Sequence, residues 1–225
     1  MESTTVSKNK RYSDIAVLFL IIGLVIFFLT FIAELTGKSD NIDKFILLSL
    51  RETNNTAVPI GPDWLLIFMK DVSSIGSVSI LTLLTLLISG YLIIDKKLKL
   101  FRLILFAVLG GCFVELLIKS IFSRQRPEIV PHLIEVNSWS FPSGHSVMSA
   151  AVFLSLTAII FQFNIKQSAK IYFLVFAIIL VLLVGISRIY LGVHYPSDVA
   201  GGWALGLVWS SLTALLAHSH KDTLI

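Results

Sequence analysis

What most limits the fold of this chain is a series of long apolar runs, at residues 15–33, 72–94, 103–119, 146–165, 171–187 and 199–217. A helix needs about 20 apolar residues to cross the hydrocarbon of a bilayer, where its backbone polar groups can be paired only internally. The third run reaches a spanning length only by including Glu115 and Lys119. Hydrophobic residues make up 56% of the 225-residue chain and charged residues 14%, with a mean hydropathy of +0.87. That is more apolar material than a soluble domain can bury. The expectation is an all-α integral membrane fold of six transmembrane helices, with short interfacial helices between spans one and two. It forms one domain over residues 12–217, between an N-terminal tail (1–11) and a C-terminal end (218–225). No small-residue cleavage site follows the first run, which therefore reads as a retained span.

Orientation follows from lysine and arginine in the connections, which favour the cytoplasm. Lys8, Lys10 and Arg11 precede the first span, Lys96, Lys97, Lys99 and Arg102 follow the second, Lys166 and Lys170 follow the fourth, and Lys221 follows the sixth. Both termini are accordingly expected in the cytoplasm of a multi-pass cell-membrane protein. On the outer side, Lys38, Lys44, Arg51 and Lys70 are outnumbered by Glu34, Asp40, Asp43, Glu52, Asp63 and Asp71. The segments 40–51 and 62–70 are too short to span and too apolar for plain loop, so residues 38–71 are expected to lie in the interface with Trp64 at headgroup level. Asn54-Asn55-Thr56 forms a glycosylation sequon, a pattern short enough to arise by chance. The formal charge of +4 and pI near 9.2 do not point to nucleic acid, because the basic residues are dispersed among apolar runs. Cys112, alone in an apolar run, excludes an internal disulfide and a cysteine-rich metal site.

Four cations, Lys119, Arg124, Arg126 and Arg188, remain on the outer side against the positive-inside trend. Lys119 and Arg126 are two helical turns apart, although Pro127 biases Arg126 towards extended backbone. By themselves they read equally as interfacial anchors or as an anion site. Glu115, four residues before Lys119, is within pairing distance on one helical face and is expected to position it. The fourth span opens with Phe141-Pro142-Ser143-Gly144-His145-Ser146, which is either a simple N-cap or a phosphate cradle of free helix N–H groups with His145 at its rim. The third polar patch, Ser187-Arg188 to His194 and Asp198, lies between the last two spans. Pro196 suits the first position of a helix, so Asp198 falls in its first turn and can reach back towards His194. In isolation this patch reads as interfacial charge around a satisfied histidine. The span count puts all three patches at one outer membrane surface, where a single site accounts for them together.

The pattern Lys119-x6-Arg126-Pro127, Pro142-Ser143-Gly144-His145 and Ser187-Arg188-x5-His194-x3-Asp198 resembles the three-part signature of the type-2 phosphatidic acid phosphatase superfamily, which also includes vanadium haloperoxidases and glucose-6-phosphatase. The six-span layout resembles the small bacterial membrane members of that family. The resemblance implies a lipid phosphatase in which His194 attacks phosphorus and forms a phosphohistidine, Asp198 fixes the tautomer of His194, and His145 protonates the leaving group. It implies that Lys119, Arg126, Arg188, Ser143 and Gly144 hold the phosphate, with Glu115, Pro142 and Ser187 in support. Phosphatidylglycerophosphate is the favoured substrate, ahead of undecaprenyl pyrophosphate and phosphatidic acid. The partners expected are a phosphorylated membrane lipid and the bilayer, with no nucleic acid. No acidic cluster with metal spacing lies near these residues, so hydrolysis without metal or other cofactor is expected. The alternative of another class is a non-catalytic phospholipid-binding or transport protein that kept the anion cradle.

Overall fold

The structure is a computed structural model that describes residues 2–219, with side chains described from residue 12 onward. Lys221 and the side chains of Lys8, Lys10 and Arg11, on which part of the orientation rests, lie outside it. The elements in order are α1 (Glu2–Leu35), α2 (Asp40–Ser49), β1 (Arg51–Glu52), β2 (Asn55–Pro59), α3 (Asp63–Ile75), α4 (Val78–Ile94), α5 (Leu98–Leu105), a π-helical turn (Phe106–Gly110), α6 (Gly111–Ile121), α7 (Gly144–Ile160), α8 (Gln167–Tyr190) and α9 (Pro196–Ser219). Among the described residues, four helical stretches are long and apolar enough to cross a membrane: Tyr12–Leu35, Leu98–Ile121, Gln167–Tyr190 and Pro196–Ser219. The pair α3 and α4 makes a fifth if counted as one span, and α7 is apolar but shorter, at 17 residues.

Three features differ from the sequence expectation. The segment between the first two spans contains a small antiparallel hairpin of β1 and β2 as well as helices, so the chain is not purely α. Helix α1 already begins at Glu2, within the expected tail. The expected span 72–94 is broken, because α3 and α4 meet at a 47° bend over Gly76 and Ser77. Ser77 caps the new helix by accepting a hydrogen bond from the Ile80 N–H (3.3 Å). A Cβ at position 76 would run into Val184 Cγ1 and lie 3.4 Å from His145, so the break sits where backbone must pass close to α7 and α8.

Helix α9 is the centre of the bundle, with α1 and α7 along its length and α8 against α7. Small residues make these approaches possible. A Cβ on Gly202 would strike the Ser143 carbonyl, one on Gly206 would strike Ala150 and the Val147 carbonyl, and one on Gly23 would strike Val208. Membrane helices without a hydrophobic drive between them commonly pack through such residues. At one end, Leu92, Leu100, Ile159 and Ala217 share a core cluster, so the basic connections α4–α5 and α7–α8 lie together there. At the other, Phe27, Phe31, Phe122 and Phe141 pack beneath the residues 122–143 that lead into α7.

Candidate active site

A cavity of about 300 Å³ opens at this second end, between the α3–α4 break, α6, α7, α8 and the loop before α7. Its wall includes Glu115, Lys119, Arg126, Gly144, His145, Arg188 and His194, so the three polar patches of the sequence meet in one space. Ile134 to Ser138 close the side towards the loop, and Gly76, Val78 and Met148 supply apolar surface.

The cations are held by partners that leave donors over. Lys119 Nζ lies 2.9 Å from Glu115 Oε1, one helical turn earlier, as their spacing predicted. A Cβ on Gly144 would overlap that carboxylate and come within 3.3 Å of Lys119 Nζ, which is why the start of α7 needs glycine to approach the ion pair. Arg126 donates from Nε to the Ser138 carbonyl (2.7 Å), from Nη2 to Ser138 Oγ (3.1 Å) and from Nη1 to the Val193 carbonyl (2.6 Å). Burial draws the pKa of this guanidinium below its usual value. Arg188 is 3% exposed, donates from Nη1 to Ser73 Oγ (2.7 Å), and keeps a buried Nε with no partner among the described residues. A buried donor without a partner is costly, so Arg188 is held here at a cost in stability.

His194 is 1% exposed and engaged at both ring nitrogens. Nε2 faces Arg126 Nη1 at 3.1 Å, while Nδ1 lies 3.4 Å from Ser140 Oγ and 3.5 Å from Asp198 Oδ2. A guanidinium can only donate, so Nε2 carries the lone pair and Nδ1 the proton. Burial is the main reason that its pKa falls to about 3; Asp198 opposes the fall, and Arg126 and Arg188 add to it. The imidazole is therefore neutral, with its lone pair directed at Arg126 on the cavity wall.

Asp198 lies behind His194, fully buried in the first turn of α9. Its Oδ2 accepts from Ser140 Oγ (2.5 Å) and from the Tyr195 N–H (2.9 Å), which closes the helix start at Pro196. Its Oδ1 accepts from Arg124 Nη1 at 2.6 Å. Arg124 also reaches Ser197 Oγ (2.8 Å) and Asp43 Oδ2 (3.0 Å), and it lies 4.2 Å from the centre of the Tyr195 ring. Burial lowers its pKa, but Asp198 and Asp43 outweigh that and hold it above the usual value.

His145 stands in the first turn of α7 on the cavity wall, and its ring has no hydrogen-bond partner among the described residues. Ser143 is the N-cap of α7 yet does not reach the cavity: it is completely buried, and its Oγ accepts from Ser146 Oγ (3.0 Å). The Ser143 N–H donates to the Asp198 carbonyl (3.0 Å) and ties α7 to α9. Ser187 is likewise buried, donating to the Val184 carbonyl (2.6 Å), and Pro142 is packed away from the cavity. Sequence reasoning overlooked Ser140 and Asp43, and it noted Arg124 only as a cation on the unexpected side.

A neutral imidazole lone pair, a second imidazole without a hydrogen-bond partner among the described residues, three cations and a helix N-terminus around one cavity can bind a phosphoryl group and accept it on nitrogen. Comparison with known proteins points the same way. The PAP2 superfamily profile matches residues 99–222. Phosphatidylglycerophosphatase B of Bacillus subtilis is 31% identical over 191 residues, covering 83% of this chain and 89% of that one. The undecaprenyl-diphosphatase of Sulfolobus acidocaldarius is 40% identical over 83 residues, 36% of this chain and 34% of that protein. The crystal structure of a transmembrane PAP2-type phosphatidylglycerolphosphate phosphatase from Bacillus subtilis superposes with a TM-score of 0.70 at 27% identity, covering 88% of this chain and 93% of that one.

Proposed function

The chain belongs to the PAP2 superfamily of membrane lipid phosphatases, and from that premise we propose that it hydrolyses phosphatidylglycerophosphate to phosphatidylglycerol through a phosphohistidine on His194. The observation that carries this reading is the cavity in which the Nε2 lone pair of His194 faces the space shared by Lys119, Arg126, Arg188 and His145. The phosphate oxygens meet those cations and the free N–H groups at the start of α7. His194 Nε2 attacks phosphorus as the ester oxygen departs, and His145 gives that oxygen a proton. His145 then takes a proton from the water that cleaves the phosphorus–nitrogen bond, so both histidines return to their starting state. Asp198 keeps the His194 proton on Nδ1 throughout. Ser143, Ser187 and Pro142 hold the helix ends that carry these groups, and Glu115 holds Lys119.

Phosphatidylglycerophosphate is preferred because similarity to the Bacillus subtilis phosphatase runs through most of both chains. The match to an undecaprenyl-diphosphatase is confined to about a third of each, which makes a prenyl pyrophosphate the second reading. A purely lipid-binding role would need neither His145 nor Asp198. In the bilayer, α3–α4 and α7 join the four long helices as six spans, α2 lies in the interface, and the cavity opens to the outer side with the basic connections in the cytoplasm. Three cations meet the phosphate, so turnover proceeds without a divalent metal.

The test is phosphate release by detergent-solubilised protein from phosphatidylglycerophosphate, phosphatidic acid and undecaprenyl pyrophosphate, with His194→Ala beside wild type and with or without chelator. Phosphatidylglycerophosphate should give the highest mutation-sensitive rate, unchanged by chelator. A higher rate on the pyrophosphate moves the assignment to the second reading. Release that chelator abolishes overturns the metal-free mechanism.

A further inference from the structure

We propose, resting on the phosphatase reading above, that Arg124 and Asp43 are positioning residues for the nucleophile, forming a buried brace from α2 through Asp198 to His194. Arg124 spends its guanidinium on two carboxylates, with Nη1 on Asp198 Oδ1 (2.6 Å) and Nη2 on Asp43 Oδ2 (3.0 Å). Asp43 in turn takes the Ser197 N–H (2.9 Å) and the Ser197 hydroxyl. An acid 154 residues away in sequence thus caps the helix that carries Asp198. Asp43 is 1% exposed, while the neighbouring Ile42 and Phe45 on α2 face outward at 64% and 72%. Helix α2 therefore meets the bundle through this acid and presents apolar side chains to its surroundings.

Arg124 does not line the cavity that holds both histidines but a neighbouring one that shares Arg126, Asn137 and Ser138 with it, and all of its charged partners are carboxylates on the far side of Asp198 from that cavity or Asp198 itself. Its effect passes through Asp198. Among the described residues it is the one cation within 4 Å of that carboxylate, since His194 is neutral. A buried carboxylate that loses its cation is left uncompensated. Asp198 Oδ1 would then be free to turn, and more of its charge would act on His194. The charged groups around His194 are Asp198 on α9, Arg126 beside Nε2, Arg188 on α8, and Lys119 on α6 and His145 on α7 across the cavity. Those around Arg124 are Glu34 on α1 and Asp40 and Asp43 on α2. Removing Arg124 leaves this second set as unopposed negative charge, which favours imidazolium at His194. The acid limb of the kcat profile must then move to higher pH.

The experiment uses full-length protein in detergent: wild type, Arg124→Gln, Arg124→Lys and Asp43→Asn, each checked for monodispersity. Kinetics on the preferred lipid are measured across pH, with inorganic phosphate as competitive inhibitor. For Arg124→Gln, kcat should fall roughly 100-fold, while KM and the phosphate inhibition constant stay within about threefold, because a positioning defect acts on the transition state and not on ground-state binding. Arg124→Lys keeps the charge but loses the fork, so about a tenfold deficit in kcat should remain. Asp43→Asn should cost about tenfold in kcat, since the amide still accepts from the Ser197 N–H. A loss that appears in KM and phosphate inhibition makes Arg124 a phosphate ligand and overturns the brace. Wild-type kcat in Arg124→Lys overturns it as well, and that variant decides if Arg124→Gln is not monodisperse. Active wild type with an unaffected Arg124→Gln sinks this inference alone, whereas wild type that releases no phosphate from any lipid sinks the phosphatase reading itself.

Discussion

His194 and His145 are the same side chain on the same cavity, and the structure treats them in opposite ways. His194 is closed in, with Arg126 on one nitrogen and Ser140 and Asp198 at the other. His145 lies on the cavity wall with no partner for its ring among the described residues. A nucleophile has to hold its lone pair on a fixed line to phosphorus, because small misplacements of the attacking atom are expensive. A proton carrier has to reach a leaving oxygen in one step and a water in the next, which a fully tethered ring cannot do. In the proposed mechanism the contrast in surroundings matches a contrast in task, and substitution at each position tests it.

The largest effect belongs to His194→Ala. It should lower kcat by at least about 10⁴-fold and abolish acid-labile phosphoenzyme in a rapid-quench experiment, since the group that forms the covalent bond is gone. Phosphate trapped on His145 of the wild type would exchange the roles of the two histidines, and phosphate on any third residue would overturn His194 as nucleophile. His145→Ala comes next. It should cost about 10²- to 10⁴-fold on the lipid, where the departing alkoxide needs a proton, and less than about tenfold on p-nitrophenyl phosphate, whose leaving group does not. Equal losses on both substrates would show that His145 acts otherwise.

Much of this arrangement was legible before any coordinates. The apolar runs are readable because a membrane leaves the backbone few options, and Lys119, Arg126 and Arg188 are conspicuous as cations that run against the orientation expected from the other basic residues. The Glu115–Lys119 pair and the start of α9 at Pro196 follow from local rules of helix spacing and capping, and both occur. Long-range links were not legible. Arg124 and Asp43 are 81 residues apart, and nothing in either local pattern selects that acid from the several on the same side. The break at Gly76 and Ser77 is hidden because the run through it carries no charge, although Ser73, Ser74, Gly76, Ser77 and Ser79 interrupt its apolar residues there, and the backbone passes close to Val184 and His145 at that point. Ser143 is legible in part: its place before an apolar helix marks it as the cap that it is, but not that its hydroxyl accepts from Ser146 instead of lining the cavity.

The smallest expected effect concerns stability and rests on the enclosure of His194. In the folded protein burial holds its pKa near 3, so the ring stays neutral, whereas in the unfolded chain it takes up a proton near pH 6.5. Acid therefore favours the unfolded state through this residue. Its contribution is fully present above about pH 6.5 and is lost progressively as the pH falls from there towards 3. Carboxylates destabilise the fold over part of the same range, so the wild type alone does not isolate the effect. His194→Gln does, because the amide does not titrate and Asp198 keeps Arg124, Ser140 and the Tyr195 N–H as partners. Thermal unfolding in detergent at pH 7.0 and 4.5 should show the wild type losing more Tm than His194→Gln, by about 2–4 °C for each kcal/mol that linkage removes. Equal losses would mean that His194 is not the enclosed neutral ring on which its contrast with His145 depends.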